Sequence, residues 1–323
     1  MVQKVHARAV VDARKHYSMK IRKLLQEEKA SSRALYEEMF YEDSKEFVDY
    51  YYTEKAKDND IYVCGEPMVS MVQLNPYPMM VNGREVETHY IVAVATKPAE
   101  RRKGYMAALL TTAMEDMRSA GEPFTFLMPA KEAYYTPFGF TTVYQQDLLY
   151  VDVDSYEGEE VIDFEEQAIL ANEGLRAYQV YAKRSKAYYE RLSKELASEG
   201  GKLLKTDSKV SAQLCIPAVK EVPEALGTIM IRILDVKKML ELTKAKEAVN
   251  LRIFVEDPLL KENEGCYEIH AGKNEFLKVK KVEKEEEVRL RMEELQLVLF
   301  GKKEVSELSK ICPLTKIYLN EIV

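Results

Sequence analysis

Apolar residues first recur with helical spacing, at Ile21, Leu24 and Leu25, then Leu35, Met39 and Phe40, then Phe47, Tyr50 and Tyr51, which predicts two helices over 19–53. Asp58-Asn59-Asp60 is a turn signal. Strands are expected at 61–63, 70–74 and 89–95, with Val81-Asn82-Gly83-Arg84 as a hairpin turn, because Asn-Gly tolerates positive φ at both central positions. The unbroken apolar run 90–95 predicts a strand buried on both faces. A polar loop then leads into a helix from Gly104 to about residue 120, stopped by Gly121 and Pro123. A buried strand at 124–128, a short helix at 131–135 and a β-hairpin over about 141–153 complete an α/β unit spanning 19–153.

Residues 163–200 read as strongly helical, carrying Tyr178, Tyr181, Tyr188 and Tyr189 and ending at Gly200-Gly201. A strand pair around 202–214 and a proline-punctuated linker at 216–223 follow. A third unit opens with a strand and helix at 228–242. It continues with short strands at 249–255, 266–271, 276–282 and 288–295, small helical pieces at 298–300 and 305–309, and an extended end at 317–323. The expected architecture is mixed α/β (α+β): a mobile extension at 1–18 and units at 19–153, 154–225 and 226–323.

Composition narrows the function. With 46% hydrophobic and 31% charged residues, 323 residues suffice for packed cores. The net charge of −7 argues against nucleic acid as a partner. Cys64, Cys215, Cys266 and Cys312 form no zinc or redox spacing and read as free thiols of a reducing cytoplasm. No apolar stretch approaches the ~20 residues that span a bilayer, and the basic N-terminus lacks the apolar core of a secretory signal. No metal-ligand spacing and no Gly-x-Ser-x-Gly hydrolase motif occurs. His89, before the central strand, reads as a core or edge histidine more than a proton relay, and His270 has no partner nearby in sequence.

The sharpest motif is the transition from Val94-Ala95-Thr96 through Lys97, Arg101, Arg102 and Lys103 to Gly104, Tyr105 and Met106. A buried strand ends and a basic loop delivers the chain to a helix. Helix starts carry unpaired N–H groups and partial positive charge, and so receive anions. Gly104 lets a phosphate approach the backbone without meeting a Cβ. Some thirty residues later comes Ala130-Lys131-Glu132-Ala133-Tyr134-Tyr135-Thr136-Pro137-Phe138-Gly139-Phe140.

Arg101-x-x-Gly104-x-Met106 followed by Ala130, Tyr134, Tyr135, Gly139 and Phe140 resembles the GNAT superfamily of N-acetyltransferases. Met106 departs from the small residue usual there, and Tyr134 replaces the commoner Phe. The three-unit plan resembles the enhanced-intracellular-survival (Eis-like) acetyltransferases, whose last unit resembles sterol carrier protein; the segment from Thr228 to Leu240 looks like that unit's opening strand and helix. The middle unit is shorter than in that family and has no second Arg-x-x-Gly loop.

The resemblance implies acetyl-CoA as co-substrate, without a metal. Backbone groups of Val94, Ala95 and Thr96 would pair with its pantetheine arm, and Arg101, Arg102, Lys103, Gly104, Tyr105 and Met106 would hold its pyrophosphate. Ala130 would lie beside it, lacking the hydroxyl common at that position. Tyr135 would be the general acid, and the α-carboxylate of Val323 the base, with Glu321 as the fallback carboxylate. The expected acceptor is a small-molecule primary amine (aminoglycoside, polyamine or lysine-like), and the resemblance also implies a homo-oligomer. The alternative is a hydrophobic-ligand or lipid carrier using the third unit.

Overall fold

The computed structural model describes residues 19–146, 158–205 and 227–321, with 150–152 and 213–216 described by backbone alone. The expected extension 1–18, most of the linker, the far end of the expected 141–153 hairpin and Val323 lie outside the described residues.

In chain order the first stretch supplies β1 (Ile21–Lys23), α1 (Arg33–Met39), α2 (Lys45–Tyr50), β2 (Asp60–Cys64), β3 (Ser70–Pro76), β4 (Met79–Val81) and β5 (Arg84–Val86). There follow β6 (His89–Thr96), α3 (Tyr105–Ala120), β7 (Phe124–Leu127) and β8 (Thr141–Gln145). The middle stretch adds β9 (Tyr150–Asp152), α4 (Phe164–Leu175), β10 (Val180–Ala182), α5 (Lys186–Ser198), β11 (Lys202–Leu204) and β12 (Gln213–Ile216). The last stretch holds β13 (Thr228–Ile233), α6 (Val236–Glu241), β14 (Val249–Glu256), β15 (Gly265–Ala271), β16 (Lys278–Val282), β17 (Val288–Arg291), α7 (Met292–Leu299) and β18 (Ile317–Tyr318).

The main sheet has the order β1-β2-β3-β6-β7-β13-β8. α3 buries Leu109, Leu110, Ala113, Met114 and Met117 against it, while Glu115 and Asp116 face out, a helical period that fixes one apolar face. Gly104 and Gly121, both left-handed, bracket this helix. The other face carries Leu35, Tyr36, Val48 and Tyr51 from α1, α2 and the turn after α2, packed on Ile61, Val63 and Met71. The Asn82-Gly83 turn forms as expected, with both residues at positive φ between β4 and β5.

Several expectations are corrected. Residues 21–23 are an edge strand rather than part of a helix: β1 pairs with Tyr62, Val63 and Cys64, and Lys23 joins Asp60 across the pair. Residues 163–200 are two helices separated by β10. Residues 288–295 divide into β17 and the start of α7, whose apolar positions Met292, Leu295 and Leu299 follow helical spacing. Among the described residues no pairing joins the two arms of the expected 141–153 hairpin. β8 pairs instead with β13, and β9 runs parallel to β12. The strand at 228–233, expected to open the third unit, instead completes the N-terminal sheet between β7 and β8. The middle stretch is therefore an excursion between two strands that share one sheet.

Two buried, multiply hydrogen-bonded ion pairs of arginine lock the parts together. Arg232 of β13, 1% exposed, donates from Nη2 to both Asp257 oxygens (2.6 and 2.7 Å), from Nε to the Phe138 carbonyl and from Nη1 to that of Ile233. Asp257 also accepts from the Leu260 amide and the Asn263 side chain. The second lock is on the C-terminal segment. β18 adds in parallel to β10, which pairs antiparallel with β4, giving a sheet built from all three stretches. Just beyond, Glu321 (1% exposed) is gripped by Arg184 (5% exposed), Nη1 and Nη2 each at 2.8 Å.

Asp257→Ala leaves the Arg232 guanidinium buried without its counter-charge, a loss of about 3–5 kcal/mol. Guanidinium chloride unfolding should show a clearly lower midpoint; an unchanged midpoint would contradict the assigned role. Arg184→Leu should release the C-terminal segment. Hydrogen exchange at residues 317–320 is expected to speed up about tenfold or more while α3 stays protected; equal protection in both proteins would show that the clamp is not what orders the segment.

Candidate active site

β6 is paired differently along its two edges. Against β3 the register runs Ser70↔Thr96, Met71↔Ala95, then Gln73↔Val92, so β6 carries one extra residue, and Ala93 stands at φ 47°. This is a β-bulge, which bends a strand and re-aims its groups. Against β7 a single pair forms, Tyr90↔Phe126. Beyond it the two parallel strands part. The Lys97 amide donates to Val69 and the Ala95 carbonyl accepts from Ser70 Oγ, so both face β3. Backbone direction alternates along a strand, which turns the polar groups of Val94 and Thr96 toward the opening. The Thr96 carbonyl there accepts only a long bond from Arg101 Nε, 3.3 Å. The run 90–95 is thus not buried on both faces: Val92, Ala93 and Val94 are half-exposed where the neighbouring strand departs.

The same strand feeds the basic turn. A single 3₁₀ turn (Pro98–Glu100), Arg102 at φ 65° and Gly104 at φ 92° swing the chain into α3. No side chain caps the helix start. A Cβ placed on Gly104 would meet only Met19 Cε, at 3.7 Å, so the approach to the first helical amides is open. Lys97 is tied to Glu38 (2.7 Å) and Lys103 to Glu100 (2.9 Å). Arg101 and Arg102 are exposed and have no acidic partner among the described residues, so they supply the turn's uncompensated charge. Tyr105 and Met106 pack half-buried on the core under α3, so the larger residue at 106 is accommodated without breaking the helix.

Tyr135 joins two 3₁₀ turns, Glu132–Tyr134 and Thr136–Phe138. Its ring packs edge-on to Phe140 at 5.9 Å, and it is 8% exposed. Burial pushes its phenol up to about 12. Among the described residues its hydroxyl makes no hydrogen bond. Ala130 and Tyr134 are exposed. Tyr90, whose acidity burial lowers further with help from the Glu321 charge, packs on Phe126 (4.8 Å) and Tyr77 (5.9 Å). The aromatic wall runs from the point where β6 and β7 part to the C-terminal segment.

The structure bears on one of the two C-terminal carboxylates. Glu321, the fallback base, is fully engaged: besides Arg184 it accepts from Tyr77 (2.9 Å) and Tyr188 (3.2 Å). Gln146 adds bonds to the Glu321 and Leu319 carbonyls. Such a carboxylate is an anchor. Val323, beyond it, lies outside the described residues. His89 contacts Glu122 at 2.7 Å, and burial raises the Glu122 carboxyl above its ordinary range, offset in part by His89. Among the described residues no three His, Cys, Asp or Glu side chains gather to hold a metal ion. No helix there is long and apolar enough to cross a membrane.

Sequence reading missed Arg184, Tyr77, Tyr90 and Tyr188, which lie far apart in the chain with no motif around them. One signal was available: a charged residue, Glu321, inside an otherwise apolar extended end implies a buried partner.

Residues 20–143 match an acetyltransferase (GNAT) domain, and residues 236–317 a sterol carrier protein domain. No curated protein matches the chain. Among solved structures, a GCN5-related N-acetyltransferase from Anabaena variabilis is 18% identical, with TM-score 0.67, covering 94% of this chain and 98% of that one. A conserved protein of unknown function from Enterococcus faecalis V583, described as a probable N-acyltransferase, is 14% identical with TM-score 0.68, covering 91% and 94%. Eis1 from Mycobacterium abscessus is 13% identical with TM-score 0.64, covering 92% and 94%. At these identities the likeness shows the fold, and it extends over nearly the whole chain. The chain thus carries a GNAT acetyltransferase domain at residues 20–143 and a C-terminal sterol carrier protein domain at residues 236–317.

Proposed function

We propose that the enzyme moves the acetyl group of acetyl-CoA directly to a primary amine of the aminoglycoside, polyamine or lysine-side-chain class. The observation that carries this reading is the parting of β6 from β7 beside an uncapped, open helix start. An amide-bearing arm can add to the free edge at Val94 and Thr96 as an extra strand, while a diphosphate rests on the amides of Gly104, Tyr105 and Met106 with Arg101 and Arg102 alongside.

The amine nitrogen attacks the thioester carbonyl carbon, and a backbone amide of the opened strand donates to the oxygen that becomes negative. As the tetrahedral centre collapses, the C–S bond breaks and the leaving sulfur takes the proton of the Tyr135 hydroxyl. The nitrogen's surplus proton passes to the Val323 carboxylate, two residues beyond the Glu321 anchor and so within about 7 Å of it along the chain. The third unit serves as a platform: Ile253, Val255, Ile269 and Leu295 fill its interior at 0% exposure.

Tyr135→Phe should lower kcat by about 10²-fold or more at unchanged CoA affinity; full activity would remove the tyrosine from the acid role. An acid must hold its proton, and a phenol raised to about 12 does so throughout the neutral range. Wild-type kcat should therefore show no alkaline fall below about pH 10, and a fall with an apparent pKa near 8–9 would assign the acid elsewhere. Residues appended after Val323 should depress turnover about 10²-fold while calorimetry finds CoA binding intact. Full turnover in the extended protein would exclude this carboxylate as the base.

A further inference from the structure

A slot of about 270 Å³ lies between the N-terminal domain and α5. It opens at the β3–β4 connection, by the His89 end of β6, whereas the basic turn lies at the Thr96 end, about 23 Å along the strand. One wall is a single face of α5, with Tyr188, Leu192 and Glu195; the other is Pro76, Tyr77 and Pro78. The walls are mostly flat and apolar, and two polar groups stand out between them.

The first is Lys55, 3% exposed. Its ammonium lies 2.7 Å from Glu195, itself 5% exposed, and beyond this ion pair its remaining N–H donors meet no acceptor among the described residues. The second is Asn75, 3% exposed, whose side-chain N–H is committed to Asn59 at 2.6 Å and whose side-chain oxygen accepts nothing among the described residues. A buried donor left unmet is costly, so the slot presents an unfilled donor and an unfilled acceptor. Charge, in contrast, is already balanced. Lys55 faces Glu195, Lys183 pairs with Glu85 and Arg191 with Asp58. An ammonium ligand would meet Lys55, and a carboxylate would add a second anion beside Glu195.

We propose that this slot is a second small-molecule site, separate from the basic turn at 101–106, and that it takes a small neutral aromatic amide. The ligand carbonyl accepts from Lys55, its N–H donates to Asn75, and its ring lies between Pro76–Pro78 and Tyr188–Leu192. Tyr77 and Tyr188 line the slot and also donate to Glu321, so an occupant touches the residues that hold the C-terminal segment.

The test compares benzamide, benzoate and benzylamine, near-isosteres differing in charge, by ligand-observed NMR on the full chain. Benzamide should bind with a dissociation constant on the order of 1 mM, about tenfold tighter than either charged analogue. Lys55→Met and, independently, Ala187→Trp, which fills the slot while leaving the Lys55–Glu195 pair intact, should each weaken benzamide about tenfold with CoA affinity unchanged. If Lys55→Met does not fold, Ala187→Trp decides alone. Absence of benzamide binding, equal or tighter binding of benzoate or benzylamine, or undiminished benzamide binding by Ala187→Trp would overturn the proposal.

Discussion

The structure turns on two parallel strands that meet at Tyr90↔Phe126 and then separate. A parallel pair inside a sheet normally continues its ladder, because unpaired backbone groups away from water are costly. Here the bulge at Ala93 bends β6, and the basic turn draws its end toward α3, leaving Val94 and Thr96 with polar groups on an open edge. That edge needs an outside partner. The uncapped helix start, Arg101 and Arg102, and the buried phenol of Tyr135 all lie on the chain that leaves this opening on either side. In the proposed mechanism the chemistry follows from an interruption in secondary structure more than from any single residue.

An interruption of this kind needs a stiff surround, and two desolvated ion pairs supply it. Arg232–Asp257 fastens the strand that returns from the middle excursion to the third unit, and Arg184–Glu321 fastens the C-terminal segment to the middle unit. Buried pairs add little net stability over apolar packing, yet they penalise any arrangement that leaves one charge alone. Both pairs are multiply hydrogen-bonded, so each favours one register of the parts it joins. Glu321 illustrates the distinction between chemistry and placement. Its carboxylate has four donor contacts and holds the chain, which leaves acid–base work to groups that are not so engaged.

Much was legible locally. Asn82-Gly83 specified its turn, Gly104 and Gly121 bracketed α3, and the run from Arg101 to Gly104 marked the turn from strand to helix. What was not legible was long-range pairing. The string Thr-Ile-Met-Ile-Arg-Ile is a strand in any sheet, and nothing in it announces that its partners lie 83–109 residues earlier. The buried Arg232 hinted at a lock without naming Asp257. The bulge was invisible because Ala93 has no unusual chemistry. Residues 21–23 and 288–295 were misread because short apolar runs fit either period, and pairing with β2 in one case, and packing of Leu295 and Leu299 in the other, decided between them.

The opened edge of β6 is the claim on which the enzymatic account stands. Residue-resolved hydrogen exchange with and without saturating CoA addresses it directly. The account predicts that the Val94 and Thr96 amides exchange readily in the free protein and become strongly protected by CoA, together with those of Gly104, Tyr105 and Met106. Protection confined to the third unit, or Val94 and Thr96 amides already slow and unmoved by CoA, would contradict it.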